Sequence, residues 1–162
     1  MSKNKNEGGN KIGINWYPGH MAKTKREIKE KLDLIDIVYE VIDARMPKSS
    51  KIVDIDDLIK NKPRLLIMTK YDLCDKKETD KFISYYENLG YQVIPVDLMS
   101  GTNVKKIIEA SEVVLESENE KRKAKGLKPR NIRALILGVP NAGKSTLINR
   151  LVGKKSAGVG NK

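Results

Sequence analysis

Short apolar runs alternate along the chain with longer amphipathic stretches. Four runs rich in aliphatic residues have the length and composition of buried β-strands: Ile35–Asp43, Arg64–Thr69, Tyr91–Val96 and Ile132–Leu137. The segments between them carry apolar residues at helical spacing. This alternation predicts an α/β fold with a mostly parallel sheet flanked by helices and joined by right-handed crossovers.

Some of the helical segments have a recognisable start or end. Gly90 follows one of them and is a typical residue at a helix C-terminus. Asn103 is expected to cap the longest helix through its side chain. Ala44–Ser50 is expected to be a loop. The predicted helices are Met21–Leu34, Ile52–Asn61, Lys76–Leu89, a long helix from Val104, and Lys144–Leu151.

Charge and composition narrow the class of protein. The chain has 162 residues and a formal net charge of +11, which favours an anionic partner, most simply nucleic acid. No apolar stretch approaches the roughly 20 residues of a membrane span, and no signal peptide is evident. One cysteine and one histidine exclude a disulfide framework and a Cys/His zinc site. We therefore expect a cytoplasmic monomer with a flexible tail at 1–13 and one domain over 14–162.

The strongest motif follows the fourth strand. Gly138–Ser145 matches G-x-x-x-x-G-K-[ST] and lies directly between a strand and a helix, as a phosphate-binding loop requires. Backbone amides of such a loop point at phosphate oxygens. Lys144 would place its charge between the β and γ phosphates, and the Ser145 hydroxyl would ligate Mg²⁺. The motif predicts binding of a nucleoside triphosphate.

A second motif indicates which base is bound. The second strand runs into Thr69-Lys70-Tyr71-Asp72, which has the N/T-K-x-D pattern that reads guanine. A carboxylate at Asp72 accepts hydrogen bonds from guanine N1–H and the exocyclic amine, a donor pair that adenine lacks. Lys70 would lay its aliphatic stem over the ring. Alone this motif is weak, but together with a phosphate loop it predicts a guanine nucleotide.

The order of the motifs is the reverse of that in Ras-like GTPases, since the base motif here precedes the phosphate loop. A circular permutation produces this order without moving either loop, because both lie at the carboxyl edge of one sheet. Asp97–Gly101 follows the third strand, where a permuted GTPase would place its second base-contacting loop.

These motifs resemble the circularly permuted GTPases of bacterial ribosome assembly. Beside the two loops, the resemblance is carried by Trp16–Lys23, Leu34–Pro47 and Arg122–Arg130. It implies a P-loop NTPase-like, circularly permuted fold and a GTPase that requires Mg²⁺. It also implies action late in the assembly of the large (50S) ribosomal subunit, with the subunit precursor and its rRNA as partners.

The resemblance also assigns roles by position. The base would be bound by Thr69, Lys70, Asp72, Asp97 and Leu98, with the Leu98 amide near guanine O6. The phosphates would be held by Asn141, Ala142, Gly143, Lys144, Ser145 and Thr146. Thr69 stands where Asn is usual in the family, so we expect a weaker tie between the base loop and the phosphate loop. His20 is a candidate for orienting the attacking water, and its alternative is a helix cap or an RNA contact.

The segments that complete a GTPase site in the family, a switch threonine and a D-x-x-G motif, would follow the phosphate-loop helix. The chain ends at Lys162 without them. Because hydrolysis depends on all these parts together, we expect a fold that is incomplete at its C-terminus, with an unpaired sheet edge, and an incomplete catalyst. The alternative is a GTP- and RNA-binding domain without turnover.

Two further interpretations stay open at this stage. A P-loop ATPase or kinase would use Asp43 as the carboxylate that supports Mg²⁺, but it leaves Thr69–Asp72 unexplained. A cationic segment near the end of the longest helix has two possible roles: it would clamp rRNA phosphates, or its positive charges would merely offset the partial negative charge of a helix C-terminus. Its members are Lys121, Arg122, Lys123, Lys125, Lys128, Arg130 and Arg133. A second basic group, Lys23 to Lys31, follows Trp16 and Tyr17.

Overall fold

The computed structural model describes residues 11–15, 21–52, 55–59, 61–139 and 142–159, with side chains described from residue 21 to residue 151 outside the gaps. The strands are β1 (Lys11–Asn15), β2 (Ile37–Asp43), β3 (Arg64–Thr69), β4 (Gln92–Pro95) and β5 (Ala134–Gly138). The helices are α1 (Met21–Leu32), α2 (Pro47–Ser50), α3 (Asp56–Ile59), α4 (Lys76–Asn88), α5 (Val104–Ala124) and α6 (Lys144–Val159).

The strands form one parallel sheet in the order β1-β5-β2-β3-β4. Strand β2 lies in the centre and pairs with β5 on one side and β3 on the other. Its register places Asp43 beside Thr69 and Val41 beside Gly138, so three strands end at the same edge. The predicted α/β class and parallel sheet are confirmed.

Strand β1 corrects one expectation. A flexible tail was expected through residue 13, yet Lys11–Asn15 pairs in parallel with β5, with Asn15 opposite Gly138. Strand β5 therefore has a partner on each side, β1 and β2. The segment is short and has only two apolar residues, Ile12 and Ile14, so its apolar pattern alone is too brief to predict a strand.

Apolar residues cover both faces of the sheet. On one face, Ile107 of α5 and Leu147 of α6 share a buried cluster with Tyr39 and Ile136. On the other face, Ile28 of α1 packs in a cluster with β2 and β5, and Phe82 of α4 packs in one with β2 and β3. All seven residues of β2 are buried, as expected for a central strand of a parallel sheet.

A buried ion network lies under the second face. The Lys51 ammonium is 3.0 Å from Glu40 of β2 and 3.0 Å from Asp56 of α3. Burial opposes the charge of Lys51, but the two carboxylates raise the pKa of its ammonium above that of an ordinary lysine. Arg64 joins the network through a 2.9 Å contact with Asp56, so the charges at this end of the sheet are paired.

The local structure differs from the sequence expectations in three places. The expected loop Ala44–Ser50 contains the short helix α2. Helix α6 continues to Val159 instead of ending at Leu151. Asn103 does precede α5, but it adopts φ 68° and makes no capping bond; its side-chain amide donates to the Pro95 carbonyl at 2.8 Å. In the described part of the chain, no helix is long and apolar enough to cross a bilayer.

Candidate functional site

Three loops meet at the carboxyl edge of the sheet. They follow β5, β3 and β4, and they correspond to the phosphate loop, the base motif and the second base loop of the sequence analysis. Gly143 lies where they converge: a Cβ at this position would be 3.3 Å from Thr69 Cγ2 and 3.5 Å from Leu98 Cδ1. Its φ of +103° is also a conformation that side chains rarely adopt. The structure therefore brings the two distant motifs together.

Lys144 opens helix α6 and lies across its own loop. Its ammonium donates to the Gly138 carbonyl at 3.2 Å and to the Val139 carbonyl at 3.0 Å. The residue is only 8% exposed, and this burial lowers the pKa of its ammonium. Ser145 and Thr146 follow in the first turn of α6 and are exposed. A buried cation beside two exposed hydroxyls at a helix start is an arrangement that can receive phosphate.

The Thr69 hydroxyl joins the base motif to the phosphate loop. It donates to the Ala142 carbonyl at 2.7 Å and approaches the Ile42 carbonyl at 3.3 Å. Thr69 and Ala142 are each 1% exposed. The shorter donor that stands in place of Asn thus still makes the connection between the loops.

The remaining residues of the base motif leave the sheet in a tight turn. Lys70 adopts a left-handed conformation, φ 60° and ψ 30°, which redirects the chain into the short 3₁₀ turn Tyr71–Leu73. Asp72 lies in this turn and is exposed. Its carboxylate is therefore accessible to a ligand next to the loops joined by Thr69.

Asp43 is a member of the site whose role the sequence analysis missed. It ends β2, and its carboxylate accepts bonds of 3.1 and 2.9 Å from the Arg45 guanidinium while lying 3.5 Å from Lys70 Nζ. Burial alone would raise the pKa of Asp43, but the Arg45 hydrogen bonds and the Lys70 charge lower it. Asp43 thus supports the base-motif lysine. Asp43 pairs in register with Thr69, the residue before Lys70, on the neighbouring parallel strand. Aligning the ends of these two strands was the signal that would have revealed the contact between Asp43 and Lys70.

The same contacts weaken the ATPase interpretation. That interpretation needs Asp43 as a carboxylate that supports a metal ion. Its two oxygens instead face a guanidinium and an ammonium.

The second base loop is organised by Asp97. Its carboxylate accepts the Met99 amide at 2.9 Å, the Ser100 amide at 3.3 Å and the Ser100 hydroxyl at 2.9 Å. These bonds, the hydroxyl first among them, lower the pKa of Asp97. Asp97 was assigned to base binding; its carboxylate folds the loop, while Leu98 packs into the core beside Gly143.

His20 and Asn141 lie outside the described residues, as do Trp16 and Tyr17. The roles given to them stay predictions.

The basic segment near the end of α5 is partly structural. Arg130 makes a two-pronged contact with Asp36, 2.7 Å from each guanidinium nitrogen to a carboxylate oxygen, and its amide donates to the Asn119 side chain. Arg122 donates to the Lys128 carbonyl at 2.7 Å. The Arg130 guanidinium therefore joins the chain before β5 to the start of β2, which supports a structural role for this residue, while its contact with RNA stays a prediction. Lys121, Lys123 and Lys125 are exposed.

Comparison with known proteins agrees with this geometry. A family model described as "50S ribosome-binding GTPase" matches residues 133–162, the segment that contains the phosphate loop.

Two curated relatives carry the name "Ribosome biogenesis GTPase A". The protein of Priestia megaterium is 47% identical over 92% of this chain and 52% of its own length. That of Bacillus licheniformis is 48% identical over 92% of this chain and 53% of its own length. The chain thus spans about half the length of these relatives.

Among solved structures, the chain is similar to the GNP-bound YlqF of T. maritima, with a TM-score of 0.58 and 34% identity over 82% of this chain and 48% of that one. In this chain the base motif precedes the phosphate loop while both occupy one sheet edge. The chain therefore belongs to the circularly permuted GTPases and is similar, over most of its length, to ribosome biogenesis GTPase A.

Proposed function

We propose that this chain binds GTP and GDP in the presence of Mg²⁺ and supplies the base and phosphate loops of a GTPase that assists a late step in assembly of the large ribosomal subunit. The observation that carries nucleotide binding is the convergence of Thr69, Leu98 and Gly143 at one sheet edge. The ribosomal role is supported by the names of its relatives.

The residues at the phosphate loop fit a magnesium ion that is bound mainly through its nucleotide. Mg²⁺ in nucleotide sites takes one or two protein oxygens and completes its shell with phosphate and water. The exposed Ser145 hydroxyl, one residue after the buried Lys144, is the protein ligand we assign. The ion would neutralise phosphate charge when bound, while Lys144 and the amides at the start of α6 hold and orient the phosphates.

Base selection falls to the carboxylate of Asp72. In this proposal Asp72 accepts two hydrogen bonds from guanine, Lys70 covers the ring, and Asp43 holds Lys70 in place. The Leu98 amide approaches guanine O6. His20 would orient the attacking water in the whole protein, and its substitution by alanine would slow single-turnover hydrolysis without weakening GDP binding.

The direct test is competitive binding of GTP, GDP and ATP to this chain with Mg²⁺. We expect both guanine nucleotides to displace a fluorescent GDP and ATP to fail at concentrations 100-fold higher. Equal displacement by ATP would contradict guanine recognition. No displacement by any of the three would contradict the phosphate loop as a binding site.

RNA binding is the second part of the proposal. The net charge of +11 and the exposed lysines Lys121, Lys123 and Lys125 support contact with rRNA. We place this activity in the cytoplasm, where bacterial ribosomes assemble. Binding to large-subunit rRNA measured against salt concentration tests it, because phosphate contacts require affinity to fall steeply as salt rises.

A further inference from the structure

Arg150 connects the phosphate-loop helix to the second base loop. It lies on α6, the helix that Lys144 opens, and its guanidinium reaches across to the loop after β4. Its Nε donates to the Leu98 carbonyl at 2.8 Å, and its Nη2 donates to the Met99 carbonyl. One side chain thus binds two consecutive backbone carbonyls of a loop that is distant in sequence.

Arg150 and Asp97 together hold this loop from two sides, and we call the pair a clamp. Arg150 binds the two carbonyls, and Asp97 binds the two amides of the same peptide units. The Leu98 carbonyl and the Met99 amide belong to the same planar peptide unit, and the Met99 carbonyl and the Ser100 amide belong to the next. Asp97 binds the two amides at 2.9 and 3.3 Å. Each peptide unit is therefore held at its carbonyl by Arg150 and at its amide by Asp97, which fixes its orientation.

The close approach of the guanidinium depends on Gly101. A Cβ at Gly101 would lie 3.1 Å from Arg150 Nη1, and the residue has φ +86°. The Arg150 charge also lies near enough to Asp97 to help lower the pKa of its carboxyl group. The loop is thus shaped to receive this arginine.

The clamp leaves one amide available. The amides of Met99 and Ser100 are engaged by Asp97, whereas the Leu98 amide donates to no acceptor among the described residues. Leu98 itself is anchored in the core and contacts the position of Gly143. This free amide lies in the preceding peptide unit, whose Asp97 carbonyl accepts a 2.8 Å hydrogen bond from the Gly101 amide. That unit joins the first of the two units that Arg150 holds at the Cα of Leu98, so the orientation of both units and the buried Leu98 side chain together determine the direction of the amide.

We propose that Arg150 is a positioning residue for guanine recognition: by binding the Leu98 and Met99 carbonyls it aims the Leu98 amide at guanine O6 from the helix that holds the phosphates. This inference rests on the proposed guanine site and deepens it. It separates two parts of base recognition, the O6 contact that depends on Arg150 and the amine contact that depends on Asp72. Lysine cannot replace the arginine fully, since an ammonium lacks the planar fork that spans two carbonyls.

Two nucleotide analogues separate these parts. In 6-thio-GDP the O6 acceptor is replaced by sulfur, a much weaker acceptor, while the amine and N1–H remain. In IDP the exocyclic amine is missing while O6 remains. The wild-type chain is expected to prefer GDP over each analogue, by about 3- to 10-fold for loss of the neutral O6 bond.

The experiment compares these two preferences in the Arg150→Met variant of the full chain. We expect the GDP to 6-thio-GDP preference to fall toward one, while the GDP to IDP preference stays within twofold of wild type. Arg150→Lys should retain part of the O6 preference, and it serves as the folded variant if Arg150→Met does not fold. Unchanged preferences in the folded variants, or an equal loss of both, overturn the inference.

Arg64→Met is the matched structural control. Arg64 pairs with Asp56 at 2.9 Å and lies over the Tyr91 ring at 4.2 Å, at the end of β3 opposite to Thr69. Its loss should lower the thermal midpoint and move neither preference; a shift of the O6 preference here would show that it reports stability alone and would overturn the inference. A wild-type chain that binds GDP and ADP equally instead overturns the proposed function itself.

Discussion

The Thr69 hydroxyl donates a 2.7 Å hydrogen bond to the carbonyl of Ala142, 73 positions later in the chain. Both residues are almost completely buried. The bond joins the loop after β3 to the loop after β5, so the geometry of one loop constrains the other. Because each loop carries one of the two motifs of a guanine-nucleotide site, the effect of changing Thr69 should extend to nucleotide binding.

Thr69→Val tests this connection with little change in shape. Valine keeps the branched side chain but leaves the buried Ala142 carbonyl without its donor, at a cost of about 1–3 kcal/mol. We expect GDP affinity to fall by about fivefold or more, measured by isothermal titration calorimetry. Thr69→Ser keeps the hydroxyl and should bind GDP nearly as wild type does. Equal affinities in the valine and serine variants would contradict the role of the hydrogen bond.

Asp72→Asn tests how the base is selected. The amide nitrogen of asparagine is a donor where the carboxylate was an acceptor, so it opposes the guanine amine and suits the carbonyl of xanthine. We expect GDP affinity to fall by at least 100-fold and affinity for xanthosine diphosphate to rise. Circular dichroism should show a normally folded variant, because Asp72 is exposed in a surface turn. Unchanged GDP binding would show that this turn does not read the base.

Gly143→Ala tests the crowding where the three loops meet. The new methyl group would lie 3.3 Å from Thr69 and would have to adopt a φ of +103°, a conformation that costs about 1–2 kcal/mol. We expect a clear loss of stability in chemical denaturation together with at least a tenfold loss of GDP affinity.

Gly90→Ala is the control for that experiment, since Gly90 has φ +95° but a Cβ added there would meet no atom within 4 Å. It carries the backbone cost without the crowding. It should lower stability to a smaller extent and leave GDP affinity unchanged. Equal affinity losses in the two glycine variants would show that contact with Thr69 and Leu98 does not matter.

The buried ammonium of Lys144 predicts a pH effect. Burial lowers its pKa, so in the free chain it should lose its proton at a lower pH than an exposed lysine does. Bound phosphate stabilises the charged form, so GDP with Mg²⁺ should raise that pKa again. Lysine ¹⁵N NMR against pH measures both values, and Lys144→Met identifies the signal. A pKa that GDP leaves unchanged would contradict contact between Lys144 and phosphate.

Substitutions of Arg130 and Lys125 should distinguish a contribution to stability from a contribution to RNA binding. Arg130→Ala removes the partner of a buried carboxylate, Asp36, and should cost on the order of 3 kcal/mol of unfolding free energy. Lys125 is exposed, so Lys125→Ala should leave stability unchanged and reduce the salt dependence of rRNA binding. A reduced salt dependence in Arg130→Ala with unchanged stability would reverse these assignments.

Local patterns were sufficient to predict the central strands, because buried parallel strands need continuous apolar runs. The runs at Ile37–Asp43 and Arg64–Thr69 are strands in the structure nearly as predicted. The segment Lys11–Asn15 was missed because it has only two apolar residues, and its pairing with β5 joins parts of the chain that are far apart in sequence. The prediction that the Asn103 side chain caps α5 was wrong for a related reason. Its side-chain amide donates instead to the Pro95 carbonyl, which lies near it only in the folded chain.

By itself the sequence determined the fold class and the two loops of the candidate site, since glycine, lysine and hydroxyl residues at fixed spacing are needed wherever backbone amides surround phosphate. Tertiary structure alone decided which residues support those loops. Three contacts join parts of the chain that are far apart in sequence: Asp43 with Lys70, Thr69 with the Ala142 carbonyl, and Arg150 with the Leu98 and Met99 carbonyls. No local spacing encodes them, because they arise only when parallel strands end at one edge and bring their loops into contact.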